Sequence, residues 1–140
     1  MYDFSGSLGL DLQSDGRFGY EDLDNYWRDA ALHPFLFQVD SRLSGFALVQ
    51  HVSVISGDSS IWDMKEFFVM PKYRRLGIAT RVMRHLWSEL PGKWEIRVLG
   101  GNDRGLRFWT HAIRLQCNAE ILPTTMLVGG KTFDVFEFRV

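Results

Sequence analysis

Two stretches of the chain carry apolar residues every three to four positions, and this period predicts two amphipathic helices. The first predicted helix starts at Ile78 and ends at the Pro-Gly pair that follows it. The second covers residues 102–113, where Asn102 or Asp103 supplies a side chain suited to cap the first turn. A shorter helix is predicted over residues 20–30, ahead of the strands.

Runs of β-branched and aromatic residues between turn-forming clusters predict the strands. They cover residues 33–40, 45–54, 61–70 and 93–100, with one or two more around Gly129 and Gly130 that finish in the closing "FDVFEFRV". The segment "DSRLSG" joins the first two as a hairpin, and Pro71 stops the third, whose latter half is apolar on both faces like a central strand. The order α, β, β, β, α, β, α, β, β predicts a single domain over residues 1–140, of the α/β (α+β) class, with helices flanking a mixed sheet.

Composition agrees with one folded domain and disfavours several classes of function. The chain has 140 residues, 46% of them hydrophobic, so it can bury a core. The formal net charge of −1 gives no overall attraction to nucleic acid or to an anionic membrane. Cys117 and the four histidines show no metal-ligand spacing, so no metal is expected. The N-terminus is unlike a signal peptide and no apolar run approaches a membrane span, which predicts a cytoplasmic protein.

The hexad "RRLGIA", residues 74–79, lies where the third predicted strand passes into a long helix. The first N–H groups of a helix lack partners within the helix and carry partial positive charge, so they suit a phosphate. Gly77 lacks the Cβ that would block a pyrophosphate, and Arg74 and Arg75 can add charged hydrogen bonds. The alternative is an ordinary solvated turn. The segment is neither a Walker loop nor G-x-G-x-x-G, which disfavours a nucleotide triphosphatase and a dinucleotide dehydrogenase.

Two longer segments carry a resemblance to a known family. "EFFVMPKYRRLGIATRVMRHLW" resembles motif A of the GNAT superfamily of acyl-CoA-dependent N-acetyltransferases, and "WEIRVLGGNDRGLRFW" is similar to its motif B. The closing "FDVFEFRV" is similar to the family's last strand. The resemblance implies a mostly antiparallel central sheet whose strands splay at an acyl-CoA slot. It implies an acyl-CoA-binding core over residues 34–140, and a variable region on the acceptor side over residues 1–33.

The resemblance also implies which residues hold acetyl-CoA, the co-substrate of the family. Backbone groups of Phe68 and Val69 would face the pantetheine arm, Asn102 would bond its amide region, and Phe108 and Trp109 would line the thiol end. The pyrophosphate cradle would consist of Arg74, Arg75, Leu76, Gly77, Ile78 and Ala79, with Thr80 close to it. The second substrate would be a small-molecule or peptide amine.

Two departures from the family pattern affect the acceptor side. The family often has a tyrosine as general acid for the leaving thiolate where this chain has Trp109, whose indole N–H is too weak an acid. Water or His111 would then assist the thiolate. The family usually begins with a strand and a helix that precede the sequence with which this chain starts. We therefore expect an acceptor site that is open or is covered by another subunit, as in a homodimer.

Three carboxylates are candidate general bases for the attacking amine. Asp63 and Glu66 lie three positions apart on the third predicted strand, so they are expected on opposite faces, and only one can point into the cleft. Glu66 is the stronger candidate because apolar neighbours would raise its pKa toward a useful value. Glu120 is the weakest of the three. The alternative for each is a surface or ion-paired carboxylate.

The leading hypothesis is an N-acetyltransferase that moves an acetyl group from acetyl-CoA to a primary amine by direct attack in a ternary complex. It needs neither a metal nor a covalent enzyme intermediate. Trp109 and the missing N-terminal elements leave open a second hypothesis, an acyl-CoA-binding module without transferase activity. A nucleic-acid-binding domain built on Arg74, Arg75, Arg81 and Arg84 fits poorly with the near-zero net charge.

Overall fold

A six-stranded mixed sheet forms the centre of the molecule, with strand order β1-β2-β3-β4-β6-β5. The computed structural model describes residue 14 and residues 23–140. The strands are β1 Leu32–Val39, β2 Arg42–Gln50, β3 Ile61–Val69, β4 Lys93–Leu99, β5 Thr124–Val128 and β6 Lys131–Arg139. The helices are α1 Ile78–Glu89 and α2 Asp103–Cys117, with short 3-10 helices at Leu23–Trp27 and Pro71–Tyr73. Only β3 and β4 pair in parallel among the described strands, so the predicted mixed, mostly antiparallel sheet with flanking helices is confirmed.

Tight turns set the register of the hairpins β1–β2 and β5–β6. Asp40 and Ser41 have φ angles of 49° and 62°, and Gly129 and Gly130 have φ angles of 56° and 79°. Two successive left-handed residues are typical of the type I′ turn, whose twist matches that of paired strands. The first turn is shorter than the predicted "DSRLSG" loop because two non-glycine residues adopt this conformation. β2 therefore begins and ends earlier than the predicted strand over residues 45–54.

The predicted helices keep their places but differ in type or length. The helix predicted over residues 20–30 is a 3-10 helix, Leu23–Trp27, and residues 20–22 lie outside the described part of the chain. α2 runs four residues beyond its predicted end, to Cys117, and stops where Asn118 turns left-handed with a φ of 49°. In the described residues, no helix has the length and apolar character needed to cross a membrane.

Both α helices pack on one face of the sheet, called the helix face here. Its core is formed by Met83, Leu86 and Trp87 of α1, by Trp109, Ala112 and Ile113 of α2, and by strand residues that include Ala47, Val49, Met64, Trp94, Ile96 and Phe136. The helical residues follow the 3.6-residue period of the sequence, and the strand residues alternate along β2, β3, β4 and β6. The opposite face of the sheet, called the polar face, carries Leu48, Gln50, Asp63, Glu66, Glu95 and Arg97.

β3 and β4 separate halfway along their length. Residues 61–64 pair with residues 93–96, and the pairing stops there although both strands continue. Residues 65–69 of β3 and residues 97–99 of β4 therefore form the two arms of a fork. Each arm pairs with a strand on its outer side, β2 or β6. The splayed arrangement implied by the motif resemblance is present.

A β-bulge in β3 lies at the base of the fork. Leu48 of β2 pairs with Glu66 and Val49 pairs with Met64, so Lys65 is an extra residue with no counterpart on β2. A bulge bends its strand and increases the local twist. The open half of β3 is thereby turned relative to the half that pairs with β4.

Candidate functional site

Gly77 shapes the start of α1 at the carboxyl end of β3. It is the N-cap residue, with a φ of 72° and no side-chain cap among the described residues, and its carbonyl accepts the N–H of Arg81 at 3.1 Å. A Cβ at Gly77 would meet nothing within 4 Å. Glycine is thus favoured for its left-handed conformation, and the space in front of the helix is open. Unpaired N–H groups facing open space are the geometry that an anion prefers.

The two arginines of the predicted cradle have different surroundings. Arg74 Nε donates a hydrogen bond to the Val69 carbonyl at 2.7 Å, and its guanidinium lies 5.5 Å from the centre of the Phe68 ring. Arg74 therefore ties the turn to the open half of β3. Arg75 is exposed and left-handed, with a φ of 62°, so its charge is available at the mouth of the fork.

The other predicted cradle residues differ in what they can offer an anion. Leu76 is 63% exposed, whereas Ile78 is only 6% exposed. The Ile78 side chain belongs to the core, so this residue can contribute only its backbone. Ala79 and Thr80 lie half-buried in the first turn of α1.

The start of α2 lies at the end of the other arm. Asn102 Oδ1 accepts the Gly105 N–H at 2.9 Å, and the Asn102 N–H donates to the Leu99 carbonyl at 3.0 Å. These bonds fix Asn102 relative to β4. Its amide nitrogen takes no part in the cap, so this group can donate hydrogen bonds to a ligand.

Three aromatic rings join the open half of β3 to α2 on the helix face. Phe108 stacks on Phe67 with ring planes 9° apart and centroids 5.8 Å apart, and Trp109 meets the Phe67 ring edge-on at 5.3 Å. Trp109 is 7% exposed, so most of its indole is core. Phe68 points to the other face, where its ring packs 5.7 Å from that of Phe46.

Asp63 and Glu66 lie on the same face of β3, and the prediction of opposite faces is wrong. Asp63 lies opposite Gln50 and Glu66 lies opposite Leu48. Directly opposed residues share a face, and Leu48 and Gln50 are two positions apart on β2, so all four point to the polar face. Alternation fails between Asp63 and Glu66 because the extra residue Lys65 resets it.

Asp63 is fully buried and holds three hydrogen bonds. Arg97 donates to it from Nε at 3.1 Å and from Nη2 at 3.0 Å, and Gln50 Nε2 donates at 3.1 Å. Burial raises the pKa of Asp63, and the hydrogen bonds from Arg97 oppose that rise. This candidate base is therefore engaged in an ion pair between two strands.

Glu95, opposite Asp63 on β4, is a second buried carboxylate at this level. Ser53 Oγ donates to Glu95 Oε2 at 2.6 Å, whereas Oε1 has no hydrogen-bond partner among the described residues and lies 3.8 Å from Arg97 Nε. Burial raises the pKa of Glu95, and the charges of Asp63 and Glu137 add to that rise. Within the described residues, no three His, Cys, Asp or Glu side chains are grouped to hold a metal ion.

The remaining candidates for acid or base lie in different places. Glu66 is half-buried on the open half of β3. His111 and Glu120 are exposed and line a shallow depression of about 380 Å³ on the outside of α2. Because α2 turns its buried residues to the sheet, His111 faces away from it. The structure brings Glu66 to the fork, and brings neither His111 nor Glu120 there.

Four residues in the fork or next to it were not predicted from the sequence as site residues: Gly45, Phe67, Glu95 and Arg97. A Cβ at Gly45 would overlap the Phe68 carbonyl oxygen and come within 2.9 Å of the Phe37 ring. A glycine inside a strand is a signal of such close approach, and it was available in the sequence. The alternation of Glu95 and Arg97 with apolar residues along β4 was a second signal.

Comparison with known proteins agrees with this fold. The model of the acetyltransferase (GNAT) family matches residues 7–112. No curated protein sequence matches the chain. A solved acetyltransferase of Thermus thermophilus superposes with a TM-score of 0.65 at 12% identity, over 85% of this chain and 71% of that chain.

Two further solved structures share the fold. A GNAT family acetyltransferase of Elizabethkingia anophelis, with acetyl-CoA bound, has a TM-score of 0.60 at 12% identity, over 87% of this chain and 84% of that chain. The ribosomal-protein-S18-alanine N-acetyltransferase of Escherichia coli has a TM-score of 0.56 at 15% identity, over 80% of this chain and 71% of that chain. At such identities these matches show the fold, and the family model covers more than half of the sequence. The chain belongs to the GNAT family of acetyltransferases.

Proposed function

We propose that this chain is an N-acetyltransferase that transfers the acetyl group of acetyl-CoA to a primary amine by direct attack in a ternary complex. The observation that carries the proposal is that the fork, the start of α1 and the start of α2 lie together at the carboxyl ends of the two central strands. β3 and β4 run parallel and fork at their carboxyl ends, and the next α helix after each end, α1 from Ile78 or α2 from Asp103, starts on the same side of the sheet's strand ends. The β3 arm, which is open on its β4 side, and the starts of the two helices thus border one space at the carboxyl ends of these strands.

An extended ligand with an anionic end fits this space. The fork leaves residues 65–69 without β4 as a partner, so the amides of a pantetheine arm can take the place of strand hydrogen bonds. The anionic pyrophosphate then lies against the N–H groups after Gly77, with Arg75 adjacent. Asn102 and Phe108 border the second arm.

In this proposal the chain contributes position and polarity to the reaction. Acetyl-CoA supplies the thioester, whose carbonyl oxygen takes a hydrogen bond from a backbone N–H of the open arm. Glu66 acts as the base, because it is half-buried on the polar face, from which an amine can approach without crossing the helix face. Asp63 is assigned to the ion pair and not to the base. His111 faces away from the sheet, so water is the proton source for the thiolate.

The acceptor is assigned only as a primary amine of a small molecule or a peptide. The relatives differ here: the Escherichia coli enzyme is named for an alanine of a ribosomal protein. The expectations of a homodimer and of a cytoplasmic location stay predictions.

Calorimetric titration with acetyl-CoA tests the cradle. The double variant Arg74→Ala with Gly77→Val removes one charge and places a β-branched residue at a φ of 72°. We expect affinity to fall at least 30-fold, from the lost charged hydrogen bond and the distorted helix start, about 2 kcal/mol together. Arg114→Ala removes an exposed charge from the end of α2 and should stay within twofold of the wild type. Unchanged affinity in the double variant would contradict the proposal.

Trp109, at the place of the family's tyrosine, favours a second candidate function, an acyl-CoA-binding module without transfer. Thiol release from acetyl-CoA over a panel of small amines and peptides separates the two. Release that depends on an amine supports the enzyme, whereas binding without release across the panel supports the module. In an active chain, Glu66→Gln should lower the rate and remove the acid limb of the pH profile, and an unaltered profile would show that Glu66 is not the base.

A further inference from the structure

The place where the fork begins is marked by a buried ion pair. Backbone pairing between β3 and β4 ends at Met64 and Ile96. Asp63 immediately precedes Met64 and Arg97 immediately follows Ile96, so the bond between their side chains spans the last pair diagonally on the polar face.

The two bonds between these side chains are parallel and well formed. Arg97 uses Nε and Nη2 at 3.1 and 3.0 Å, one to each oxygen of Asp63, and Gln50 of β2 adds a third bond at 3.1 Å. A single carboxylate therefore connects β2, β3 and β4 at the level where strand pairing stops. Two parallel hydrogen bonds between the planar guanidinium and carboxylate groups fix their relative orientation more strictly than a contact with a single point charge does.

Stability alone is a poor reason for this arrangement. The side chain of Asp63 has no exposed surface and that of Arg97 is 12% exposed. Desolvation of such a pair largely cancels its attraction, and apolar residues of similar volume often serve stability better. An apolar pair, however, would not fix the position and orientation of β3 relative to β4, because its contacts are not directional.

We propose that Asp63 and Arg97 are positioning residues that hold β3 and β4 together at the closed end of the fork and set the point from which the acyl-CoA slot opens. The inference rests on the proposed function, since it assigns the fork to the pantetheine arm. Beyond this pair lies the bulge at Lys65, and from there on β3 no longer pairs with β4. The ion pair fixes the origin of the divergence, and the bulge fixes its direction.

Neighbouring groups keep Arg97 committed to Asp63. Ser53 Oγ accepts the N–H groups of Ile55 and Ser56 at 3.1 and 3.0 Å, which occupies its two lone pairs. Its own proton must therefore be donated to Glu95 Oε2, 2.6 Å away. Glu95 is thus held by the loop after β2, and its free oxygen stays 3.8 Å from Arg97 Nε, too far for a hydrogen bond.

Two ligands distinguish the slot from the cradle. Acetyl-CoA needs both, whereas 3′-phosphoadenosine 5′-diphosphate carries the phosphates without the pantetheine arm and needs only the cradle. We expect Asp63→Asn and Arg97→Lys to raise the Kd of acetyl-CoA about tenfold or more and to leave the Kd of the fragment within twofold. Arg97→Lys keeps the charge and removes only the paired geometry, so it is the milder variant if Asp63→Asn fails to fold.

Asp29→Asn is the control, because it removes an exposed carboxylate that accepts the Ala31 N–H ahead of the edge strand β1, away from the fork. It should change neither Kd. The inference would be overturned, with the proposed function intact, if both fork variants left the ratio of the two Kd values unchanged. That holds whether neither affinity changes or both fall by the same factor. A wild-type chain that binds neither ligand would overturn the proposed function and this inference with it.

Discussion

The two halves of β3 are built for different tasks. Residues 61–64 pair with β4, residues 63–64 pair also with β2, and the buried Asp63 has a partner for each oxygen. Residues 65–69 lack β4 as a partner, and their second side faces the fork. A ligand can bind to backbone groups only where no strand already occupies them. One strand thus combines a half that is held on both sides with a half that is open on one side. The predictions below test this difference between the two halves.

The largest expected effect comes from one methyl group added between the open half and β2. Gly45→Ala places a Cβ against the Phe68 carbonyl and the Phe37 ring, so β2 must move away from this arm. We expect a loss of about 3 kcal/mol in the free energy of unfolding, the upper end for overpacking, together with weaker binding of acetyl-CoA. Urea denaturation and calorimetry measure the two effects.

Gly57→Ala is the control for adding a methyl group. Gly57 has a φ of 74° and open space around its Cβ position, so only backbone strain of about 1 kcal/mol is expected. Equal losses in the two variants would mean that close approach at Gly45 does not hold the open half in place.

A smaller effect is expected from the aromatic bridge of the open half. Phe67→Leu keeps apolar volume but removes the ring contacts with Phe108 and Trp109, which should cost about 1–2 kcal/mol. Because the arm is attached to α2 through this ring, hydrogen exchange of residues 66–69 should accelerate. Phe35→Leu, on the outer strand β1, should leave that exchange unchanged. Acceleration in both variants would point to general loosening of the sheet.

The smallest effect concerns the paired half and depends on pH. The raised pKa of Glu95 means that the folded chain prefers its neutral form. Wild-type stability is therefore lost as pH rises from the ordinary glutamate pKa, about 4.3, through the higher pKa of the folded state. Glu95→Gln imitates the neutral form, keeps an acceptor for Ser53, and should raise Tm at pH 8 by roughly 2–4 °C.

This gain should shrink toward zero as pH falls below about 4.3, where the wild-type side chain is neutral in both states. Thermal scans from pH 4 to pH 8 follow it. Glu89→Gln, at the exposed end of α1, should show no such trend. A constant difference between wild type and Glu95→Gln across the range would contradict a titrating Glu95.

Local patterns predicted the elements but not the faces of β3. The period from Ile78 and the signals at Pro71 and Gly77 act within a few residues, so α1 and the end of the preceding strand were placed correctly. The side on which Glu66 points depends on the bulge at Lys65, which exists only through pairing with β2. Strict alternation therefore misassigned it.

The candidate site was predicted unevenly for the same reason. The predicted cradle and the Asn102 cap lie in short continuous motifs, and the structure places them near the carboxyl ends of β3 and β4. The partners of Asp63 do not lie near it in the sequence: Gln50 is 13 residues away and Arg97 is 34 residues away. Neighbouring residues do not distinguish an ion-paired carboxylate from a general base. The sequence therefore allows both roles for Asp63.

The sequence by itself determined the order of the elements and the family, and it predicted a segment suited to an anion, because periodicity, capping and glycine conformation are properties of neighbouring residues. Only the tertiary structure decided where the fork begins, which carboxylates are buried, and which face each of them occupies. Those features arise when β2, β3 and β4 pair with one another. Burial at this point then makes the charged forms of Asp63 and Glu95 less favourable and strengthens their interaction with Arg97.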